Sequence, residues 1–322
     1  MIRTSKWIAE ISSLGFLFLL TLFTGLSIGV EWISPVHFWD PLFKNIIWDI
    51  RWPRVLLAII AGGALSVSGY IFQIILKNPL ADPFILGVSG AACLGGALGF
   101  LLHLGYPLIT FVSFLTSLLC LGVIDFVSRK HVSTTSHVLL LTGVFLSFLF
   151  SSLVTLCLSF SEPFEGTSLL FWLMGGLSFP IPTPMLWISL GILFFLLSFI
   201  YRKSYHLHLL NLSAIETQAL GIDALKTQRL FFILASLLCA LTVSLTGMIG
   251  FVGLLVPHLC RFLWGNDPRR ILIHCFLVGA ILLISMDMVV RTLFPYEMPL
   301  GAMTALLGAP FFLFLLWKRS SP

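Results

Sequence analysis

Four charged side chains border apolar runs of the sequence at spacings that allow ion pairing or partner binding. Arg51 and Arg54 flank Trp52-Pro53 at the start of one run. Asp287 and Arg291 lie four residues apart near the end of another, a spacing at which an acid and a base pair on one helix face. Ionisable groups in an apolar span commonly mark function. Because guanidinium groups bind carboxylates with two hydrogen bonds, these arginines are either interfacial anchors or a cationic face that receives acidic side chains of an external partner.

Motifs of the common catalytic and nucleotide-binding sites are missing from the sequence or lie where they cannot act. It contains no G-x-x-x-x-G-K-[ST] phosphate loop and no H-E-x-x-H. Its G-x-S-x-G match, Gly25-Leu26-Ser27-Ile28-Gly29, lies inside the first apolar run and not at a strand-to-helix turn, and Gly87-Val88-Ser89-Gly90 only approaches this pattern. His206 and His208 supply two ligands without a third, which favours solvated histidines over a metal site. We therefore predict no catalytic residue, no bound metal and no cofactor in this chain. An intramembrane enzyme is disfavoured for the same reason.

Composition indicates an integral membrane protein. The 322 residues are 58% hydrophobic and only 10% charged, and the mean hydropathy of +1.06 is far above that of soluble domains. An apolar run of about 20 residues can cross the bilayer as one helix. We predict one all-α transmembrane domain over residues 1–322 with about ten helices, near residues 8–30, 54–76, 84–104, 107–128, 137–160, 184–201, 228–247, 249–264, 271–292 and 300–318.

The positions of the lysines and arginines provide an independent test of this helix count. Short cytoplasmic loops of membrane proteins carry an excess of positive charge. If the N-terminus is cytoplasmic, ten helices place 14 of the 18 Lys and Arg residues inside, and the remaining four, Lys44, Arg51, Arg54 and Arg291, outside. The sequence therefore predicts that both termini are cytoplasmic.

Three interruptions of the apolar pattern predict structure outside the spans. Lys77–Pro83 contains two prolines and cannot continue a helix through lipid, so we expect a cytoplasmic turn between two spans rich in small residues. Residues 161–183 predict a short outer half-helix. Residues 204–226 mix leucines with polar residues, which predicts short amphipathic helices broken at Gly221. In addition, Asp125 and Arg129 have the spacing of a structural ion pair.

Short motifs follow one another in a fixed order from about residue 51 to the C-terminus. They are Arg51-x-Pro53-Arg54, Gly69 to Gln73, Asn78-Pro79-Leu80-Ala81-Asp82-Pro83-x-x-Leu86-Gly87-Val88-Ser89, Trp172-x-x-Gly175-Gly176, Gly247-x-x-Gly250-Phe251-Val252-Gly253-Leu254-x-Val256-Pro257-His258-x-x-Arg261, Gly265-x-Asp267-x-Arg269, Asp287-x-x-x-Arg291, and Pro299-Leu300-Gly301 to Gly308-Ala309-Pro310. Through this ordered set the chain resembles the FecCD-type permease family of ABC importers for iron-siderophores, haem and vitamin B12.

The resemblance implies a transporter subunit of the bacterial cytoplasmic (inner) membrane. It would move an iron chelate (siderophore or haem) or a corrinoid such as vitamin B12 into the cytoplasm by ATP-driven alternating access. The implied partners are a second permease copy or a close homologue, two cytoplasmic ATPase subunits that hold ATP and Mg, and an extracytoplasmic solute-binding protein. The missing phosphate loop agrees with ATP hydrolysis on a separate subunit.

The resemblance also implies roles for individual residues. ATPase coupling falls on Glu216, Ala219, Leu220 and Gly221 within the cytoplasmic coupling helices of residues 204–226. Docking of the binding protein falls on Arg51, Arg54 and Arg291. The translocation path and inner gate fall on Asn78, Leu80, Thr134, Thr135 and Ser136. The chain departs from the family pattern at Ser89-Gly90-Ala91, which is one residue shorter and shifts the expected start of the third span.

Two other transport functions remain open at this point. A zinc or manganese ABC permease is a near neighbour, although such permeases are usually shorter and lack the Asn-Pro-Leu-Ala segment. A secondary transporter could use Asp287 and Arg291 as its coupling pair, but it would be expected to contain inverted repeats with matching broken helices, which the sequence does not show. No side chain in the sequence identifies the solute.

Overall fold

The structure is a computed structural model that describes residues 2–29, 31–129, 135–212, 214–294 and 296–319. These residues form helices and connecting turns, with no β-strand among them. The helices are α1 (Ile2–Ser27), α2 (Trp52–Ile75), α3 (Val88–Leu101), α4 (Tyr106–Arg129), α5 (Thr135–Phe160), α6 (Pro163–Leu173), α7 (Thr183–Arg202), α8 (Ser204–Leu209), α9 (Ala214–Ala219), α10 (Ala224–Thr246), α11 (Val252–Trp264), α12 (Pro268–Leu293) and α13 (Leu300–Arg319).

Ten of these helices correspond, in order, to the ten predicted spans, which confirms the all-α, polytopic fold. In the described part of the chain, α1, α2, α4, α5, α7, α10 and α12 are long and apolar enough to cross a membrane, and α3, α11 and α13 are shorter apolar helices. The remaining three helices also match predictions. The short helix α6 lies where an outer half-helix was expected, and α8 and α9 lie within residues 204–226, with Gly221 just beyond α9.

The third span begins later than predicted, at Val88 rather than near residue 84. Residues Pro83–Leu86 form a separate turn of 3-10 helix, because the Asp82 carboxylate accepts a hydrogen bond from the Phe84 N–H at 2.9 Å and starts that turn. Gly87 follows with a φ of 80°, a left-handed conformation that ends the turn before α3 begins. With 14 residues, α3 is about 21 Å long, which is shorter than the hydrocarbon core of a bilayer.

The centre of the fold is α2, in which every residue from Val55 to Ile75 is buried. It packs against α7, α10, α11 and α12. Glycines allow close approaches here: a Cβ atom added to Gly62 would lie 2.6 Å from the carbonyl carbon of Gly279 in α12, and one added to Gly69 would lie 2.5 Å from the carbonyl carbon of Gly253 in α11. The small residues that predicted close helix packing therefore form contacts between backbones.

A second hydrophobic cluster is centred on α3, which packs against α4, α5, α6 and α10. Trp172 of α6 is fully buried there and lies edge-on to Phe100. This packing holds the half-helix α6 against the bundle.

Candidate functional site

One end of the bundle carries a buried carboxylate shared by two arginines. Asp287, near the end of α12, lies 3.0 Å from Nη2 of Arg54 in the first turn of α2 and 3.0 Å from Nε of Arg291. The pairing of Asp287 with Arg291 confirms the expectation from their spacing. The contact with Arg54 adds a bond between α2 and α12. We call Arg51, Arg54 and Arg291 the arginine cluster.

Arg51 of the arginine cluster forms hydrogen bonds to the backbone of the same chain. Its buried guanidinium donates to the carbonyls of Leu26, Ser27 and Glu31 at 2.7–2.8 Å. The last carbonyls of a helix have no partner within the helix. Arg51 thus closes the end of α1 and fixes the connection to α2, and its role in docking stays a prediction.

A cavity of about 360 Å³ opens beside the arginine cluster, and the three arginines line it together with Glu31, Tyr296 and Glu297. Arg54 donates from Nη1 to Glu297 at 3.1 Å, and the Glu297 side chain is 70% exposed. Among the described residues, the buried Nε of Arg54 and Nη1 of Arg291 have no hydrogen-bond partner. A guanidinium that lines the cavity can bind an incoming carboxylate with two hydrogen bonds.

The opposite end of α2 leads into the break at Lys77–Pro83. Asn78 ends the helix in two ways: its N–H donates to the Gln73 carbonyl at 3.2 Å, and its side-chain oxygen accepts from the Leu80 N–H at 2.9 Å. Both Asn78 and Leu80 are exposed. Of the other predicted gate residues, Thr135 and Ser136 are the first residues of α5, and Thr134 lies outside the described residues.

A buried polar cluster holds this break against α11. The Gln73 amide nitrogen lies 3.3 Å from the Gly253 carbonyl and 3.5 Å from the Ala81 carbonyl, while Arg261 of α11 donates to the Gln73 side-chain oxygen. Gln73 and Arg261 were visible in the sequence only as motif positions, and the structure shows that they bond to each other. Near them, burial raises the pKa of Asp82 to about 6, although a hydrogen bond from the Phe84 N–H opposes this shift.

Residues 204–226 form a compact segment with one covered face. Leu207, Leu209 and Leu210 are buried, and the buried Thr217 hydroxyl donates to the Leu209 carbonyl at 3.0 Å. All four residues with a predicted coupling role lie on the exposed side; they are Glu216, Ala219, Leu220 and Gly221. Gly221 adopts a φ of 77°, a conformation that favours glycine and ends α9.

Asp223 connects this segment to α10. Its carboxylate caps α10 by accepting from the N–H groups of Leu225 and Lys226, both at 3.1 Å. Hydrogen bonds from the backbone and side chain of Lys226 lower the pKa of Asp223. The cap stays charged at neutral pH, and it fixes the angle at which the segment enters α10.

The sequence of this chain matches one family model and resembles permease proteins of several bacteria. The model of the FecCD transport family matches residues 17–318. The vitamin B12 import system permease protein BtuC of Klebsiella pneumoniae is 34% identical to this chain, over 98% of the chain and 95% of the relative. A probable iron chelatin transport system permease protein of Helicobacter pylori is 37% identical, over 85% of the chain and 82% of the relative.

Two solved structures share the fold. A metal-chelate type ABC transporter in an inward-facing conformation superimposes with a TM-score of 0.90 and 32% sequence identity, over 96% of this chain and 99% of the other. PsaBC from Streptococcus pneumoniae, solved in complex with a Fab, gives a TM-score of 0.59 at 19% identity, which shows the fold alone. On the family match and these identities, the chain belongs to the FecCD transport family.

Proposed function

We propose that this chain is the membrane permease subunit of an ABC importer that carries an iron chelate or a corrinoid into the bacterial cytoplasm. The observation that carries the proposal is the family match over residues 17–318, together with a relative named as a vitamin B12 permease over 98% of the chain. Both solute classes are represented among its relatives. The transporter would expose its path alternately to the two sides of the membrane as packed helices tilt.

The partners in this proposal are two cytoplasmic ATPase subunits with their ATP and Mg, an extracytoplasmic solute-binding protein and a second permease copy. The sequence supports a separate ATPase because it lacks a phosphate-binding loop. The protein would lie in the inner membrane. The excess of positive charge in one set of loops supports a cytoplasmic position for both termini and for residues 204–226.

The ATPase would contact the exposed side of residues 204–226. Leu220 is 56% exposed although it is a large apolar residue, and it lies beside the exposed Ala219 and Glu216. An apolar residue among small and polar neighbours suits a protein contact. Because α8 packs on α12 and α9 packs on α10, a push at this surface would reach helices in the bundle.

The inner gate in this proposal is formed by the break after α2 and the turn between α4 and α5. The Pro83–Leu86 turn, which follows the break, packs against α5, where a Cβ atom added to Gly143 would lie 2.8 Å from Leu86. Asn78 already holds the Leu80 N–H, so we assign it to the shape of the break. The exposed Leu80 is the better candidate for contact with solute, and Thr134, Thr135 and Ser136 remain proposed gate residues.

Docking of the binding protein would use the cavity beside the arginine cluster. Among the described residues, Arg54 and Arg291 each keep one buried nitrogen without a hydrogen-bond partner, whereas the Arg51 guanidinium is bound to three carbonyls. Arg54 is also paired with the exposed Glu297. An acidic side chain of the binding protein would therefore displace Glu297 from Arg54, and Asp287 would keep both arginines in position.

Docking experiments on Arg54 and Glu297 test this proposal. We expect Arg54→Gln to weaken binding of the solute-binding protein about tenfold at low salt, with a smaller loss at high salt because charge attraction is screened. Glu297→Gln should strengthen binding by up to about fivefold, since an exposed pair that competes for Arg54 is worth at most about 1 kcal/mol. Surface plasmon resonance on the reconstituted permease at two salt concentrations measures both changes.

Two exposed residues of the same connection supply the controls for docking. Lys44→Gln removes a cation and Asp49→Asn removes a carboxylate, and neither side chain lines the cavity. Both should leave affinity within about twofold of the unsubstituted chain, as expected for rim charges. Unchanged affinity and salt dependence in Arg54→Gln and Glu297→Gln would mean that the cluster only anchors α2 and α12.

The alternative functions receive less support. The likeness to PsaBC is limited to the fold, while the family match is to FecCD. In a secondary transporter, Asp287 would have to release its ion partner during the cycle, but here it is buried between two arginines on different helices. Separating a buried carboxylate from both partners is costly, which favours a structural role for this pair.

A further inference from the structure

Two consecutive residues in the first turns of α10 bond to the ends of two other helices. The Gln228 side-chain amide donates to the carbonyl of Ile75, the last residue of α2, at 2.8 Å. Arg229 makes a bidentate contact with Asp125 near the end of α4: Nε donates to Oδ1, and Nη2 donates to Oδ2 at 2.5 Å. Thus α10 holds α2 and α4 through neighbouring side chains.

The ends of α2 and α4 lead into the two segments of the proposed inner gate. The break at Lys77–Pro83 begins two residues after Ile75, and the connection from α4 to α5 begins at residue 130. At its start, α10 shares residues 224–226 with the segment of residues 204–226, and Asp223 of that segment caps it. The start of α10 therefore connects the proposed ATPase contact to the ends of α2 and α4.

The Arg229–Asp125 contact is a bidentate ion pair that joins α10 to α4. A guanidinium and a carboxylate joined by two parallel hydrogen bonds fix orientation as well as distance. The two side chains are only partly exposed, at 35% for Arg229 and 15% for Asp125, so water screens the pair less than a surface pair. By contrast, the nearby pair of Lys226 and Asp223 is largely exposed.

A third bond joins the same parts of the chain. The Lys77 ammonium group lies 3.4 Å from the Leu212 carbonyl, which connects the break after α2 to residues 204–226 directly. This contact is exposed and longer than the other two. The stronger connections are those made by Gln228 and Arg229.

We propose that Gln228 and Arg229 are positioning residues that transmit movement of residues 204–226 to the ends of α2 and α4 at once. The inference deepens the proposed function and rests on it. When the ATPase displaces the start of α10, the Ile75 carbonyl and the Asp125 carboxylate move with it, so the ends of α2 and α4 shift together. Loss of the Arg229–Asp125 contact would let ATP hydrolysis proceed without moving α4.

The test is the number of ATP molecules hydrolysed per solute transported, measured in proteoliposomes that contain the complete importer. Arg229→Ala and Asp125→Ala should each raise this ratio about tenfold, within the usual range of coupling between sites. Gln228→Leu, which keeps the size of the side chain but removes the donor, should raise it by a smaller factor. The exchanged pair Asp125→Arg with Arg229→Asp should restore much of the coupling.

Arg270→Ala is the matched control, because it removes the arginine of a partly exposed ion pair at the start of α12, outside residues 204–226, and its ratio should not change. Arg229→Lys keeps the charge while losing the two parallel bonds, so it should fold and raise the ratio several-fold. A normal ratio in Arg229→Lys and in every folded alanine variant would overturn the inference. If the unsubstituted importer shows no ATP-driven uptake, the proposed function itself fails.

Discussion

Replacing Ala219 with proline should reduce ATP-driven uptake at least tenfold while the membrane helices stay folded. Proline at this position lacks the N–H of a helical residue and clashes with the carbonyl four residues earlier, which costs about 3 kcal/mol in a helix. Ala219 is the last residue of α9 and is exposed, so the damage is confined to the proposed ATPase contact. Uptake and ATP hydrolysis in proteoliposomes measure the effect, and the thermal midpoint of the purified permease confirms its folding.

Ala219→Ser is the control for this substitution, since serine keeps the N–H and is nearly as small. It should retain coupled transport with little change. Charge reversal at Glu216 offers a second variant on the same surface that leaves the backbone intact. If Ala219→Pro transported solute with the same ATP consumption as the unsubstituted chain, residues 216–221 would not be the ATPase contact.

Replacing Gly279 with leucine should prevent α12 from packing on α2 and remove most of the folded protein. A Cβ atom at Gly279 would lie 2.8 Å from the carbonyl carbon of Gly62, which belongs to a backbone and cannot rotate away. Overpacking of cores costs 1–3 kcal/mol or more, and a clash with backbone falls at the upper end. The yield of monodisperse protein in size-exclusion chromatography, with its thermal midpoint, measures the loss.

Gly191→Leu provides a control within another membrane helix. Gly191 lies in α7, is exposed, and has no atom within 4 Å of an added Cβ. Leucine has a higher helix propensity than glycine, so this variant should fold at least as well as the unsubstituted chain. Equal folded yields for the two leucine variants would contradict the close packing of α2 and α12.

Much of the fold could be predicted because few backbone conformations are stable in lipid. The length of each apolar run locates a helix, and the prolines of the Lys77–Pro83 break show where a span ends. The start of α3 was misplaced because Asp82 and Gly87 build a separate turn inside an apolar stretch. The central position of α2 could not be foreseen from hydropathy, since lipid-facing and buried residues are equally apolar.

The candidate site was predictable only where its residues are close in sequence. The spacing of Asp287 and Arg291 suggested their ion pair, which the structure contains. Arg54 is separated from Asp287 and Glu297 by more than 230 residues in the sequence, and no local pattern predicts these contacts. The predicted pair of Asp125 with Arg129 stays a prediction, since the Arg129 side chain lies outside the described residues. The bond of Asp125 to Arg229 depends on how α4 packs against α10, which no local pattern predicts.

The most direct test of the importer function is solute uptake by proteoliposomes that contain the permease, its ATPase and its binding protein. Labelled cobalamin, a ferric siderophore and haem would be supplied separately, with ATP inside the vesicles or with an ion gradient instead. We expect one of these solutes to accumulate only when ATP, the ATPase and the binding protein are all present. Accumulation driven by an ion gradient without the ATPase, or no uptake of any of the three solutes, would contradict the proposed function.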